Sequence, residues 1–225
     1  MRLTRKSAEV LGELLREMAA IVTSYHPTVG HTSSTVEGLI QGTSFFPGGA
    51  GLWRGLKSGG VLPEFFPPAP LMFVGHNFDS QCNYEISLAR GGEVEGQFWT
   101  RLLRILEVAG ITPEACFFTN ALMGLKPGKA EGSMPSVPGY REECREFLKR
   151  QIEIVRPCAV VALGSNAGRH MGRLNSRYVA LKHPSNWDFR PLATRDDLLR
   201  AEGEKLRKFL NSLDGKVPRS SPVLA

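Results

Sequence analysis

The chain has 225 residues, 42% of them hydrophobic, and 28 Lys and Arg against 22 Asp and Glu give it a formal net charge of +6. That length supports one full core with an appended segment. No run approaches the roughly 20 apolar residues needed to span a bilayer, and the dispersed positive charge suits a polyanionic partner without requiring one.

In chain order, residues 4–23 place Val10, Leu11, Leu14, Leu15, Met18, Ile21 and Val22 at helical spacing. Acids inside that apolar run mark an amphipathic helix rather than a signal peptide, so the cytoplasm is the expected compartment. Residues 26–70 are rich in Gly, Pro, Ser and Thr but carry Phe45, Phe46, Trp53, Phe65 and Phe66. This composition reads as an irregular wrapping segment whose aromatics serve as packing anchors.

A short apolar run, LMFVG at 71–75, suits a strand buried on both faces. A helix is expected over about 96–110, with Phe98, Leu102, Leu103, Leu106 and Val108 inward and Gly110 as its stop. CFFTN at 116–120 is the next strand, followed by a Gly/Pro-rich loop over 124–138 and a helix over 139–155 that stops before Pro157. CAVVALG at 158–164 is a third strand, then a helix near 165–172, a fourth strand in YVALK and a helix over 194–211. Arg101, Arg104, Arg141, Arg145, Lys149 and Arg150 fall on these helices, several of them as solvated faces.

Strands alternating with helices imply a parallel sheet covered on both faces. The expected fold is therefore α/β, a three-layer α/β/α sandwich around a central four-stranded parallel sheet. Its parts are the N-terminal helix and wrapping segment (1–70), the main domain (71–213) and a polar tail (214–225). Ligands of such sheets bind beyond the carboxyl ends of the strands. Those ends carry Gly75-His76-Asn77, Asn120, Gly164-Ser165-Asn166 and His183. Neither GxGxxG after a strand nor GxxxxGK[ST] occurs, and His170 and His183 lack metal-ligand spacing with any Cys or acid, so no metal is expected. The four cysteines, Cys82, Cys116, Cys144 and Cys158, form no CxxC pair and read as free core thiols.

GHNFD at 75–79, TNALMGLKP at 119–127, EECREFLKRQIEIVRPCAVVALGSNA at 142–167 and KHPSNW at 182–187 together resemble the uracil-DNA glycosylase superfamily. The resemblance covers roughly residues 71–190, with all four motifs in order and on the matching elements. It implies a uracil-DNA glycosylase-like fold and a monomeric DNA-repair hydrolase without cofactor. Such an enzyme flips uracil from DNA, cleaves its N-glycosidic bond, releases free uracil and leaves an abasic site.

Carried onto this chain, the resemblance makes Asn120 the reader of the flipped base. Its amide offers both a donor and an acceptor, matching uracil O4 and N3–H; capping the following turn is its structural alternative. His183 would donate to uracil O2, where negative charge develops as the base departs. Main-chain N–H groups of His76 and Asn77, after Gly75, would also meet the base. Asn77 stands where the classical enzymes keep a water-positioning aspartate; an Asn there resembles the mismatch-specific and single-strand-selective branches, whose amide orients water but is a poor base. Phe78 replaces the usual proline, and Asp79 is either a substitute carboxylate for the water or a turn cap. Tyr84, with Phe78 as competitor, would stack on the base.

Trp187 would fill the gap left by the flipped nucleotide or else fold back on its own domain. Lys182, Ser185, Asn186, Arg190, Ser165 and Asn166 would meet the DNA. The iron–sulphur branches of the family use four cysteines. Cys144 matches one of those positions, but GLKP lacks the next and no N-terminal CxxC exists, so no cluster is expected. Two other readings remain open: a non-catalytic DNA- or damaged-base-binding member of the same fold, and a small-molecule hydrolytic or nucleoside-binding α/β protein.

Overall fold

A computed structural model describes residues 70–77, 82, 86, 89, 97–113, 116–122, 139–174, 177–187 and 191–213. The expected helix and wrapping segment before residue 70 and the tail from 214 lie outside the described residues.

The apolar runs pair as a four-stranded sheet of order β2-β1-β3-β4, with β1 at Leu71–Gly75, β2 at Cys116–Asn120, β3 at Ala159–Leu163 and β4 at Tyr178–Leu181. Every pairing is parallel. The first three strands are buried along their whole length, which is why they read as unbroken apolar runs rather than alternating ones. Helices α1 (Gln97–Ala109), α2 (Tyr140–Val155), α3 (Gly164–Gly172) and α4 (Leu192–Asn211) connect or follow them. No described helix is long and apolar enough to cross a membrane.

The two faces of the sheet bury different helices. Leu71, Phe73, Cys116, Phe118, Val161, Leu163, Val179 and Leu181 share one core with residues of α1 and α4. On the other face Thr119 of β2 donates its hydroxyl to Gln151 of α2 at 2.8 Å, and Tyr178 and Ala180 of β4 lie under Gly168 of α3. Alternating residues of one strand thus serve opposite layers, as the period of two requires.

The buried stripe of α1 is Trp99, Leu102, Ile105, Leu106 and Ala109, joined by Arg101. Phe98, Leu103 and Val108, expected inward, are only half-buried, and Trp99, Ile105 and Ala109 are buried instead. Arg101 is not on a solvated face; its relative exposure is 6%.

Helix α4 crosses α1 at Gly203. A Cβ at that position would stand 2.6 Å from Cβ of Val108 and 2.9 Å from the carbonyl of Ile105, so only hydrogen allows this approach. Gly203→Ala should therefore destabilise the chain by about 1–3 kcal/mol, the range for forcing extra volume into a packed contact. Urea unfolding measures it, and an unchanged midpoint would mean the helices separate freely.

Candidate active site

Parallel pairing delivers the carboxyl ends of all four strands to one edge. The chain turns outward in both directions from β1, to β2 on one side and β3 on the other, so a crevice opens between the ends of β1 and β3. Pairing continues past the sheet here. Ala121 N–H donates to Gly75 O at 2.9 Å and Leu122 N–H to His76 O at 2.8 Å. Gly75-His76-Asn77 is thereby fixed beside Asn120, which pairs with Gly75 in register and is itself buried.

His183 follows β4 by two residues and is the most constrained side chain at this edge. Ser185 N–H donates to His183 Nδ1 at 3.3 Å, within the short 3₁₀ turn that Pro184–Trp187 forms. With Nδ1 accepting, the neutral ring carries its proton on Nε2, which becomes the donor. The imidazole lies against Phe98 with ring centroids 5.4 Å apart. Behind Phe98, edge-on contacts run through Trp99 to Phe118, which stacks on Phe73. An aromatic column thus joins His183 to the centre of the sheet. On its other side, Gly164 at φ +87° leaves room: a Cβ there would stand 3.1 Å from Cβ of His183. Glycine is required both by that backbone angle and by that distance.

Two buried charges hold the loop. Arg101 of α1 donates from Nη1 to the carbonyl of Pro184 at 2.8 Å and is braced by Gln97 one turn earlier. Glu202 of α4, 6% exposed, accepts from Lys182 N–H at 3.0 Å. Lys205 of α4 adds a bond from Nζ to Ala180 O at 2.6 Å. The residues on either side of His183 are therefore gripped by α1 and α4, the two helices brought together at Gly203.

Burial lowers the His183 pKa from its ordinary value, and the charge of His76 lowers it further. Burial also lowers His170 to about 4, followed by the charges of His76, Arg141, Arg173 and Arg145. The rings of His76 and His170 lie 5.8 Å apart. What the edge presents is a neutral imidazole donor, a buried amide at Asn120 and a second amide at Asn77, around a crevice with positive surroundings.

Of the residues expected at the site, Gly75, His76, Asn77, Asn120, Lys182, His183 and Ser185 gather at this edge. Ser165 and Asn166 begin α3 there, both exposed, with Asn166 accepting from Arg169 at 2.8 Å. Phe78, Asp79, Tyr84 and Arg190 lie outside the described residues, as do the side chains of Asn186 and Trp187. Phe98, Arg101 and Glu202 were not anticipated here, nor was the close approach of Gly164 to His183. Gly164 was already expected at this edge, as the glycine closing an apolar strand.

The cysteines do not fit an iron–sulphur cluster. Cys116 begins β2 and Cys158 precedes β3, at the sheet edge opposite the crevice, and their thiols donate to the carbonyls of Thr112 and Pro70. Burial pushes the Cys158 thiol up, which disfavours the thiolate a metal needs. Cys144 is packed on α2, and no group of three potential ligands is assembled among the described residues.

Fold and edge together define a parallel α/β/α protein with polar residues gathered at its topological switch point. A family model described as the uracil DNA glycosylase superfamily matches residues 36–209, and the chain belongs to that superfamily. It is 25% identical over 124 residues to a type-4 uracil-DNA glycosylase of Sulfurisphaera tokodaii, covering 53% of this chain and 50% of that protein. The chain thus spans about half the length of the curated relative it matches.

Two outcomes follow from this geometry. Arg101→Met leaves the Pro184 carbonyl without its charged donor and should cost roughly 1.5–3 kcal/mol in urea unfolding, the range for a hydrogen bond to a charged group. Wild-type stability would show that the loop holds itself. The second concerns acid. A histidine whose native pKa lies below its unfolded value binds its proton preferentially in the unfolded chain. The stability at stake is complete above about 6.5 and is lost as pH falls toward about 4, the native value of His170. Melting temperature should fall across that window, and less steeply in His170→Gln; parallel melts of the two proteins check it.

Proposed function

We propose that the chain is a monofunctional uracil-DNA glycosylase acting as a cytoplasmic monomer: it flips uracil from DNA, hydrolyses the N-glycosidic bond and releases free uracil from an abasic site. The observation that carries this reading is the hydrogen bond from Ser185 N–H to His183 Nδ1. It leaves Nε2–H as the outward donor, and burial keeps the ring neutral at physiological pH. A neutral donor fixed in place suits a leaving base that gains negative charge.

As the C1′–N1 bond breaks, its electron pair leaves with the base and the charge spreads to O2, where His183 Nε2–H stabilises it. The Asn120 amide accepts from N3–H and donates to O4 of uracil, a pattern that cytosine reverses. Backbone N–H groups of His76 and Asn77 add donors at the crevice. Water adds to C1′ and gives up its proton to solvent, from which the departing uracil anion is protonated; the Asn77 amide orients that water but is a poor base. Support also comes from the superfamily match and from the name of the Sulfurisphaera relative.

Asn77 also favours a second reading, in which the chain binds DNA or damaged bases without hydrolysis. One assay separates the two. On single-uracil oligonucleotides the wild type should yield alkali-labile sites. His183→Ala and Asn120→Ala should each lower the single-turnover rate by about 10²–10³-fold, the loss for removing one such donor, with unchanged circular dichroism. Wild-type rates in both variants would sink the site assignment. DNA binding with no abasic product from the wild type would establish the second reading.

A further inference from the structure

A guanidinium at 6% exposure is costly to keep charged, and an apolar side chain of similar length would pack the flank of α1 without that cost. Packing alone therefore does not account for Arg101. Its hydrogen bond does something that packing cannot. Arg101 Nη1 donates to the Pro184 carbonyl at 2.8 Å, and Ser185 N–H donates to His183 Nδ1 at 3.3 Å. That carbonyl and that N–H belong to one peptide group. In the trans form, the default where no proline follows, they point in opposite directions. The guanidinium thus stands at one end of a peptide dipole and the imidazole at the other.

The bond to Nδ1 is long for an N–H donor and by itself holds the tautomer weakly. A cation on the carbonyl draws electron density toward oxygen and leaves the amide proton more positive. Hydrogen bonds chained in this way strengthen one another, and a charge-assisted first bond strengthens the next most. The same helix also orients the ring. Phe98, one turn before Arg101, lies against the imidazole with centroids 5.4 Å apart. Gln97, exposed at the start of α1, accepts from Arg101 Nη2 and so fixes which way the guanidinium fork points.

We infer that Arg101 is a positioning residue for His183: through the Pro184–Ser185 peptide it fixes the imidazole in the tautomer that carries its proton on Nε2. The consequence for catalysis rests on the glycosylase reading; the consequence for the tautomer does not. Without the cation, Nδ1 loses its preference as acceptor and the proton divides between the two nitrogens. The fraction protonated on Nδ1 then turns a lone pair, not a donor, toward the crevice.

The test uses the full chain at neutral pH. Proton–nitrogen correlation spectra of the imidazoles read the tautomer, with His183 assigned by its absence in His183→Gln. The wild type should show the Nε2–H form and Arg101→Met a mixture of the two. Arg101→Lys, which keeps a charged donor for the carbonyl, should restore most of the wild-type pattern. Gln97→Ala, at an exposed position, should shift the pattern partway and decides the matter if Arg101→Met does not fold. On a single-uracil oligonucleotide, Arg101→Met should lower the single-turnover rate by up to about 10²-fold, the loss for a catalytic group held out of place. Its affinity for the strand should be unchanged, and Arg101→Lys should recover most of the rate. A merely structural arginine would lower the urea midpoint and leave the His183 tautomer as in the wild type, and that result would overturn the relay. A mixed tautomer at the wild-type rate would overturn the positioning role. A mixed tautomer in the variant with no uracil release even by the wild type would leave the relay standing and remove only the glycosylase reading.

Discussion

The parallel pairing of β1 to both β2 and β3 is the constraint from which the site descends. It obliges three strands to end at one edge, and β4 joins them through β3. Asn120 and Asn77 become neighbours because Gly75 and Asn120 share a register, although the two asparagines lie 43 positions apart in the chain. The chain's reversal of direction at β1 then prevents any crossover helix from covering the crevice between β1 and β3. None of this requires the site residues to stabilise anything. The buried apolar strands pay the conformational cost, and the polar ends are carried to the edge by them.

His183 needs more than a strand end, and the extra hold comes from charges placed where charges are expensive. A buried guanidinium or carboxylate costs several kcal/mol unless its hydrogen bonds are satisfied. Arg101 and Glu202 each spend one on a main-chain group beside His183 rather than on each other. A pair of apolar residues would pack the α1–α4 interface more favourably. What it would lose is the fixed height of the loop above the sheet. Gly203 belongs to the same device, since the close crossing it allows sets where Glu202, the preceding residue, emerges.

The strands and helices were legible because burial writes itself into the sequence as apolar runs and 3.6-residue stripes. The residues at strand ends were legible for a related reason: a polar or glycine residue after such a run marks the edge where ligands bind. Arg101 was not, because one charge inside a helical stripe looks like solvated surface until its partner is known, and Pro184 lies 83 positions away. Phe98 read as a core residue but is half-buried against the core's edge, where its ring also meets His183. The nearness of His170 to His76 was invisible, since periodicity says nothing about which helix lies over the end of β1.

The cationic side of the crevice and the neutral donor on its other side are two consequences of one field. Burial raises the cost of an imidazolium at His183 and the charge of His76 adds to it, which keeps Nε2–H a donor without full charge. The same positive charge lowers the energy of an anion in the crevice, and in the proposed reaction that anion is the departing base. An imidazolium at His183 would bind the anion more strongly, yet forming it in a buried site beside His76 costs free energy before any bond breaks. A fixed neutral donor within a positive field avoids that cost and keeps its dipole already aligned when charge arrives.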